Sequence, residues 1–266
     1  MDQREKAELL RSLHHGPRIL VLPNAWDVAS ARIFEVSGAQ AVATTSAGVA
    51  NALGYPDGQA IPGDEMLWMV ERIARALSVP VTADLEAGYG DPAGTAAAAI
   101  DAGAVGLNLE DSTGEGRAML PVEEAAAAVA AVREAGDRAG VPLVINARTD
   151  VFLGGSGELA EAIERANAYL RAGADCAFAI GLGDPETIRS LVTEVDGPVS
   201  LLAHPGGPSV GELEALGVRR VSIRPWAMRA ASSLTRRIGE ELLGSGTYDA
   251  FAEWQPYPDL NSLLAP

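Results

Sequence analysis

Short β-branched runs alternate with longer, Ala-rich stretches of helical spacing along most of the chain. The pattern predicts strands over 19–22, 41–44, 81–84, 105–109, 143–147, 176–180, 199–202 and 219–223. Helices are predicted over 28–36, 64–77, 94–101, 122–138, 159–171, 185–195, 211–216 and 225–243. Strands alternating with helices of this length imply βαβ units and a parallel sheet. Eight such units are the content of a closed (β/α)8 TIM barrel, which usually needs roughly 250 residues. An open doubly wound sheet is the runner-up.

Punctuation sharpens the count. Gly38, Gly103, Gly173 and Gly217 precede strands 2, 4, 6 and 8, each where a helix end needs a left-handed residue. Pro17, Pro80, Pro142 and Pro198 precede strands 1, 3, 5 and 7, where proline stops a helix and feeds an extended chain. The chain therefore reads as one α/β barrel domain over 1–266, with an N-terminal helix over 1–15 and a C-terminal tail over 244–266. Within the tail, Trp254-Gln-Pro-Tyr-Pro258 carries aromatics and prolines, which suit docking either on a neighbouring subunit or on the chain's own barrel.

Composition narrows the chemistry. No apolar run reaches the roughly 18 residues of a spanning helix, and the opening segment has charges of both signs, so a cytoplasmic protein without a membrane partner is expected. A net charge of −16 excludes the basic footprint that nucleic acid requires. Cys176 is the one cysteine, so no intrachain disulfide forms, and its place early in strand 6 reads as packing. Lys6 is the one lysine, which excludes Schiff-base chemistry from the barrel.

In a barrel of this kind the site gathers at the C-terminal ends of the strands. Asp84 and Glu86 end strand 3, and two-residue spacing on an extended chain gives them one face. Glu110 ends strand 4 with the parity of Asn108. Three converging carboxylates repel unless a cation or protons neutralise them, and an all-oxygen set suits Mg2+ or Mn2+. The plainer reading makes them helix caps or loop ion pairs. Ser46, Ala47 and Gly48 offer a hydroxyl and backbone N–H groups to a carboxylate, or form a simple turn. Arg148 ends strand 5 and either pairs with the acids or forks onto a substrate carboxylate. Trp26 follows strand 1. His204 heads a Gly-Gly turn after strand 7 that serves as an anion cup or a structural bend.

Taken together the rim segments resemble the isocitrate lyase/phosphoenolpyruvate mutase superfamily. The likeness runs through Pro23-Asn24-Ala25-Trp26-Asp27, Thr45-Ser46-Ala47-Gly48-Val49-Ala50 and Gly54-Tyr55-Pro56-Asp57. It continues through Asp84-Leu85-Glu86-Ala87-Gly88-Tyr89-Gly90, Asn108-Leu109-Glu110-Asp111 and Ala147-Arg148-Thr149-Asp150. The resemblance implies a metal site at Asp84, Glu86 and Glu110, and a carboxylate-binding segment at Ser46–Gly48. It also implies a substrate-binding role for Arg148 and a mobile-loop acid at Asp57. Beyond the site it implies a homo-oligomer, tetramer or dimer, and chemistry through a pyruvate-type enolate.

One departure limits the transfer. The lyases of that superfamily resemble one another in a Cys- and Lys-bearing loop after strand 4, whereas 111–121 here reads DSTGEGRAMLP, without Cys, His or Lys. The expectation is an Mg2+-dependent carbon–carbon lyase or decarboxylase acting on a small 2-oxo or 2-hydroxy carboxylate. Asp57 or Glu115 would sit on a closing loop, with Trp26, Asn108 and His204 facing the substrate. A phosphonopyruvate-type P–C mutase or hydrolase, or a non-catalytic 2-oxo acid binding barrel, are the alternatives.

Overall fold

The computed structural model describes residues 1–113, 118–153, 157–251 and 257–264. Its strands are β1 (Leu20–Leu22), β2 (Asn24–Ala25), β3 (Val42–Thr44), β4 (Val81–Asp84), β5 (Gly106–Glu110), β6 (Ser112–Thr113), β7 (Ala118–Met119), β8 (Val144–Thr149), β9 (Cys176–Ala179), β10 (Val199–Leu202) and β11 (Arg220–Ser222). The helices are α1 (Gln3–Leu13), α2 (Val28–Val36), α3 (Ser46–Ala52), α4 (Gly63–Ala76), α5 (Pro92–Asp101), α6 (Val122–Ala139), α7 (Leu159–Arg171), α8 (Pro185–Glu194), α9 (Val210–Ala215), α10 (Trp226–Gly244) and α11 (Tyr257–Leu264). Among the described residues no helix is long and apolar enough to cross a membrane.

The parallel sheet runs β1-β11-β10-β9-β8-β5-β4-β3-β2, with β6 and β7 forming a separate antiparallel hairpin. The two ends of that order are consecutive segments of one strand, parted by Pro23, so the sheet closes on itself. Proline has no N–H to give a ladder, yet its carbonyl still accepts from Ala43 N at 3.0 Å. The first strand changes partners where its donor is missing. The expected (β/α)8 TIM barrel is present, with that one strand split in two.

The local signals behave as their chemistry demands. Gly38, Gly103, Gly173 and Gly217 have φ of 98°, 93°, 110° and 93°, the left-handed region that ends a helix without a Cβ clash. Asp27, Asp91 and Asp184 cap α2, α5 and α8 by accepting backbone N–H bonds, each worth about 1 kcal/mol. Helix α3 is a departure, because the sequence pattern places no helix over Ser46–Ala52. Thr45 caps it at once after β3. Gly48 is needed for contact, since a Cβ there would lie 2.5 Å from Thr45 Cγ2 and 3.0 Å from Trp26 Cβ. At the far end, α11 lies on the chain's own α2, with Arg32 Nε donating to Leu263 O at 2.9 Å.

Apolar residues fill the layer between barrel and helices, from Ile73, Ile100 and Val132 on one side to Ile188, Leu191 and Leu213 on the other. Barrel interiors are usually packed with branched aliphatics. Here the centre is polar. Asn108 Oδ1 on β5 accepts from Asn146 Nδ2 on β8 at 2.8 Å and from Arg220 Nη2 on β11 at 3.0 Å. β5 and β11 stand opposite each other in the ring, so this bond crosses the interior. Arg220 is 1% exposed; burial draws its pKa down to about 10, while Cys176 and Asp84 pull it back up. Cys176 is buried beside it, its thiol pushed up to about 12 by burial, as a packing role requires.

Below, α1 closes the barrel with Leu10 and His14, both buried. His14 Nδ1 donates to Leu10 O at 2.8 Å, leaving Nε2 to face Arg220 Nη1 at 3.5 Å. Burial, and then Arg220, push the His14 pKa down to about 4. A His held neutral in the fold but free to protonate when unfolded destabilises the fold as pH drops below 6.5. The loss levels off near 4 and amounts to roughly 3 kcal/mol. Urea unfolding of wild type and His14→Asn between pH 7 and 4 checks this. The wild type is expected to lose more stability across that window, and parallel curves would remove His14 from the account.

Candidate active site

The strand ends deliver their polar side chains into a cavity of about 300 Å3 at the C-terminal mouth of the barrel. That volume suits a small metabolite. Asp84, at the end of β4, is fixed from three sides. Its Oδ2 accepts from Ser46 N at 2.9 Å and Ser46 Oγ at 2.8 Å, and its Oδ1 from Asn108 Nδ2 at 3.4 Å. Its own N–H donates to Thr44 Oγ1 at 2.8 Å. Ser46 N and Gly48 N are thus committed, to Asp84 and to Thr45 Oγ1 respectively. The Ser46–Gly48 segment orients an acid as well as lining the cavity with Ser46 and Ala47.

Arg148 is a buried cation of the site, 5% exposed. It donates through Nη1 to Glu110 and through Nε to Asp150 Oδ1 at 2.6 Å, with Ser112 Oγ donating to the other Asp150 oxygen. Burial opposes its charge, yet Glu110, Asp150 and Asp84 together hold its pKa above the ordinary guanidinium value. Its Nη2 is buried without a hydrogen-bond partner among the described residues. Behind this cluster Asp111 accepts from Tyr169 OH at 2.7 Å, Arg165 Nη1 at 3.3 Å and Asp150 N at 2.9 Å. Burial still pushes the Asp111 carboxyl above its usual range.

Glu86 sits differently from its sequence expectation. Strand β4 ends at Asp84, and Glu86 has a φ of 52°, so the chain is no longer extended and the shared-face spacing lapses. Glu86 is 2% exposed, away from the cavity lining, and accepts from Tyr89 OH at 3.3 Å. Burial first, then the charges of Asp84 and Asp57, raise its pKa to about 7, against a hydrogen bond from the Gln59 backbone. Among the described residues, four non-glycine residues have positive φ: Gln59, Glu86, Tyr89 and Arg224. Such conformations carry about 1–3 kcal/mol each and persist where the surroundings enforce them. Here Arg224 lines the cavity and the other three meet at the Glu86 carboxyl.

Residues 10–243 match the model of the phosphoenolpyruvate phosphomutase family. The chain belongs to that family. A candidate lyase/mutase from Burkholderia cenocepacia J2315 superposes on it with a TM-score of 0.91 at 36% identity, over 98% of this chain and 96% of the other. The structure of 2,3-dimethylmalate lyase, a member of the PEP mutase/isocitrate lyase superfamily, gives a TM-score of 0.86 at 28% identity over 97% and 94%. An oxaloacetate decarboxylase from Rhodopseudomonas palustris is 29% identical over 91% of this chain and 85% of its own length. The phosphomutase family thus includes lyases and mutases of small carboxylic acids, on this barrel.

Within this phosphomutase-family barrel, the cavity brings together Ser46, Ala47, Asp57, Asp84, Asn108, Glu110 and Arg148 of the residues expected from sequence. Trp26 and Gly48 stand outside the lining, packed on each other. His204 is exposed, its Nδ1 on the Pro205 carbonyl at 3.1 Å and its ring against Gly207, away from the cavity. Glu115 lies outside the described residues. The lining also contains Asn24, Phe178, Leu202, Ser222, Arg224, Trp226 and Arg229, which the sequence reading did not single out.

The donor chemistry fits a hard cation. Asp84 and Glu110 line the cavity beside hydroxyl and amide groups, with neither His nor Cys in the lining. Among the described residues no three His, Cys, Asp or Glu side chains form a closed metal cage. Mg2+ does not need one, because it keeps several waters and takes one or two carboxylates.

Removing the central cation should unmask the acids around it. Arg148→Met removes the guanidinium that the buried Glu110 and Asp150 share, and loss of about 3–5 kcal/mol in urea unfolding is expected. A loss below about 1 kcal/mol would mean the cluster relaxes into water.

Proposed function

We propose that this phosphomutase-family chain cleaves a carbon–carbon bond in a small 2-oxo or 2-hydroxy carboxylate with Mg2+, decarboxylation of a 2-oxo diacid being the simplest case. One observation carries the reading. Asp84 and Glu110 share a cavity with Arg148, which spends two nitrogens on acids and keeps Nη2 unpartnered. Asp84 and Glu110, with Glu86 behind them, would hold the cation directly or through waters. When bound, it would draw charge from the acid's oxygens and lower the barrier to an enolate.

The chain's own residues do the rest. Ser46 holds Asp84 in one rotamer through two hydrogen bonds, so little reorganisation is left for the reaction. Arg148 Nη2 offers a charged donor to a substrate carboxylate. The Phe178 ring lies under that guanidinium, its centroid 6.0 Å from the guanidinium carbon. Phe178, Ile180 and Leu202 give the cavity an apolar side that excludes water from the bond being broken. In decarboxylation the C3–C4 electron pair moves into a C2–C3 double bond as CO2 departs. Protonation at C3 then completes pyruvate. Neither Cys, His nor Lys stands in 111–121, and water can deliver that proton.

Oxaloacetate consumption with Mg2+ tests this, comparing wild type, Asp84→Ala and a protein-free metal blank. Wild type is expected to exceed both, by at least about 100-fold over the variant given what an oriented metal and oxyanion site supplies. Equal rates in all three would remove the decarboxylase reading. Phosphorus NMR with 3-phosphonopyruvate would then show whether the P–C bond is the target.

A further inference from the structure

The chemistry above leaves a buried, charged cluster on the outer side of the barrel without a task. Side chains alternate along β5, so Glu110 points into the cavity and Asp111 points outwards, to α7. Arg165 and Tyr169 stand one turn apart on α7 and meet Asp111 there. Asp111, Arg165 and Tyr169 are 2%, 6% and 1% exposed. Burying a carboxylate and a guanidinium is costly even when they are paired, and none of the three residues lines the cavity.

What the cluster grips is the backbone around Arg148. Asp111 N donates to Arg148 O at 3.1 Å, and Asp111 Oδ1 accepts from Asp150 N at 2.9 Å. One residue thus holds the chain on both sides of Thr149, just past Glu110 and Arg148, the last ladder pair of β5 and β8. Asp150 in turn takes Arg148 Nε on Oδ1 at 2.6 Å and Ser112 Oγ on its other oxygen. Asp111 is itself fixed, its Oδ2 accepting from Tyr169 OH at 2.7 Å and Arg165 Nη1 at 3.3 Å. The same arginine nitrogen reaches Leu120 O at 3.0 Å, while Leu120 N donates to Asp111 O at 2.8 Å. Burial, and then the charge of Asp111, raise the Tyr169 phenol above its ordinary value, so its hydroxyl remains a donor. A file of contacts therefore runs from α7 through Asp111 and Asp150 to the guanidinium. It ends at Arg148 Nη2, buried without a hydrogen-bond partner among the described residues.

We propose that Asp111, clamped by Tyr169 and Arg165, is a positioning residue for Arg148. It fixes Asp150, whose carboxylate sets the plane of the guanidinium and so the direction in which Nη2 meets a ligand carboxylate. Asp111 touches neither ligand nor cation. This rests on the role of Arg148 given under Proposed function and adds the residues that aim it.

Titration calorimetry with oxalate in saturating Mg2+ reads the aim of Arg148, and Mn2+ alone, followed by electron paramagnetic resonance, reads the acids. Asp111→Asn keeps the shape of the side chain and removes the charge that holds Arg165 and Tyr169. It is expected to weaken oxalate about tenfold, the worth of one charged hydrogen bond, and to leave Mn2+ affinity unchanged. Tyr169→Phe removes one donor, gives the same pattern at about threefold, and serves where the Asn variant does not fold. Arg148→Lys keeps a charge but has no fork to aim, so adding either substitution to it should cost oxalate binding nothing more. Unchanged oxalate affinity in the folded variants overturns the inference, since the cluster would then serve stability alone. Equal losses for oxalate and Mn2+, or losses that add to that of Arg148→Lys, also overturn it, because the effect would reach the site by another route. Absence of oxalate binding to wild type overturns the head-group reading instead. Crystal structures of wild type and the folded variant then decide this inference, a turned Arg148 guanidinium upholding it and an unmoved one overturning it.

Discussion

Arg220 places a positive charge in the middle of the barrel, and the polar groups above it are ordered around that charge. It reaches across the ring to Asn108 Oδ1, which Asn146 also engages. With its oxygen occupied twice, the Asn108 amide is fixed in one orientation, and its Nδ2 is left for Asp84. Asp84 in turn is pinned by Ser46 from the neighbouring strand end. A file of hydrogen bonds therefore runs from the barrel floor to the mouth. An apolar core would pack this space as well, but it could not tell Asp84 which way to face. Burying a cation is expensive, and burial draws the Arg220 pKa below the ordinary guanidinium value. The negative charge of Asp84 above it returns part of the loss.

At the mouth the balance reverses. Asp84, Glu86, Glu110, Asp111 and Asp150 are all buried within a few residues of the strand ends, and Arg148 and Arg165 answer only some of them. Glu86 shows the residue of that imbalance, with a pKa lifted to about 7 by burial, by Asp84 and by Asp57. Stability is given up where the carboxylates crowd. The large aliphatic layers around the barrel, well away from the mouth, supply the compensating burial.

The architecture was legible because punctuation and periodicity agree. Proline or glycine stands at each strand entry, and the observed strands follow those residues. Asp84, Asn108, Glu110 and Arg148 were legible because a barrel's strand ends share one rim. Glu86 was not, since two-residue spacing sets a common face only on an extended chain, and Glu86 has turned left-handed. His14 and Arg220 were hidden for another reason. Nothing in Val218-Arg219-Arg220-Val221 says which arginine faces inward, and a barrel centre is expected to be aliphatic. Arg224 was masked by Pro225, which reads as the start of a helix rather than as the end of a rim.

The near absence of lysine gives this polar interior its form. Every interior cation is a guanidinium, which presents three nitrogens in one rigid plane. Arg148 uses this directly, one nitrogen for Glu110, a second for Asp150 and a third still unpartnered. Arg220 does the same below, one arm to Asn108 and one to His14. A lysine ammonium at position 148 could neutralise one acid, but it is a mobile point charge and could not hold two carboxylates apart at fixed angles. It would also lose its proton more readily when buried. Only a group that stays charged in the interior, and divides its donors by direction, can serve the fold with two of them and leave the last unpartnered.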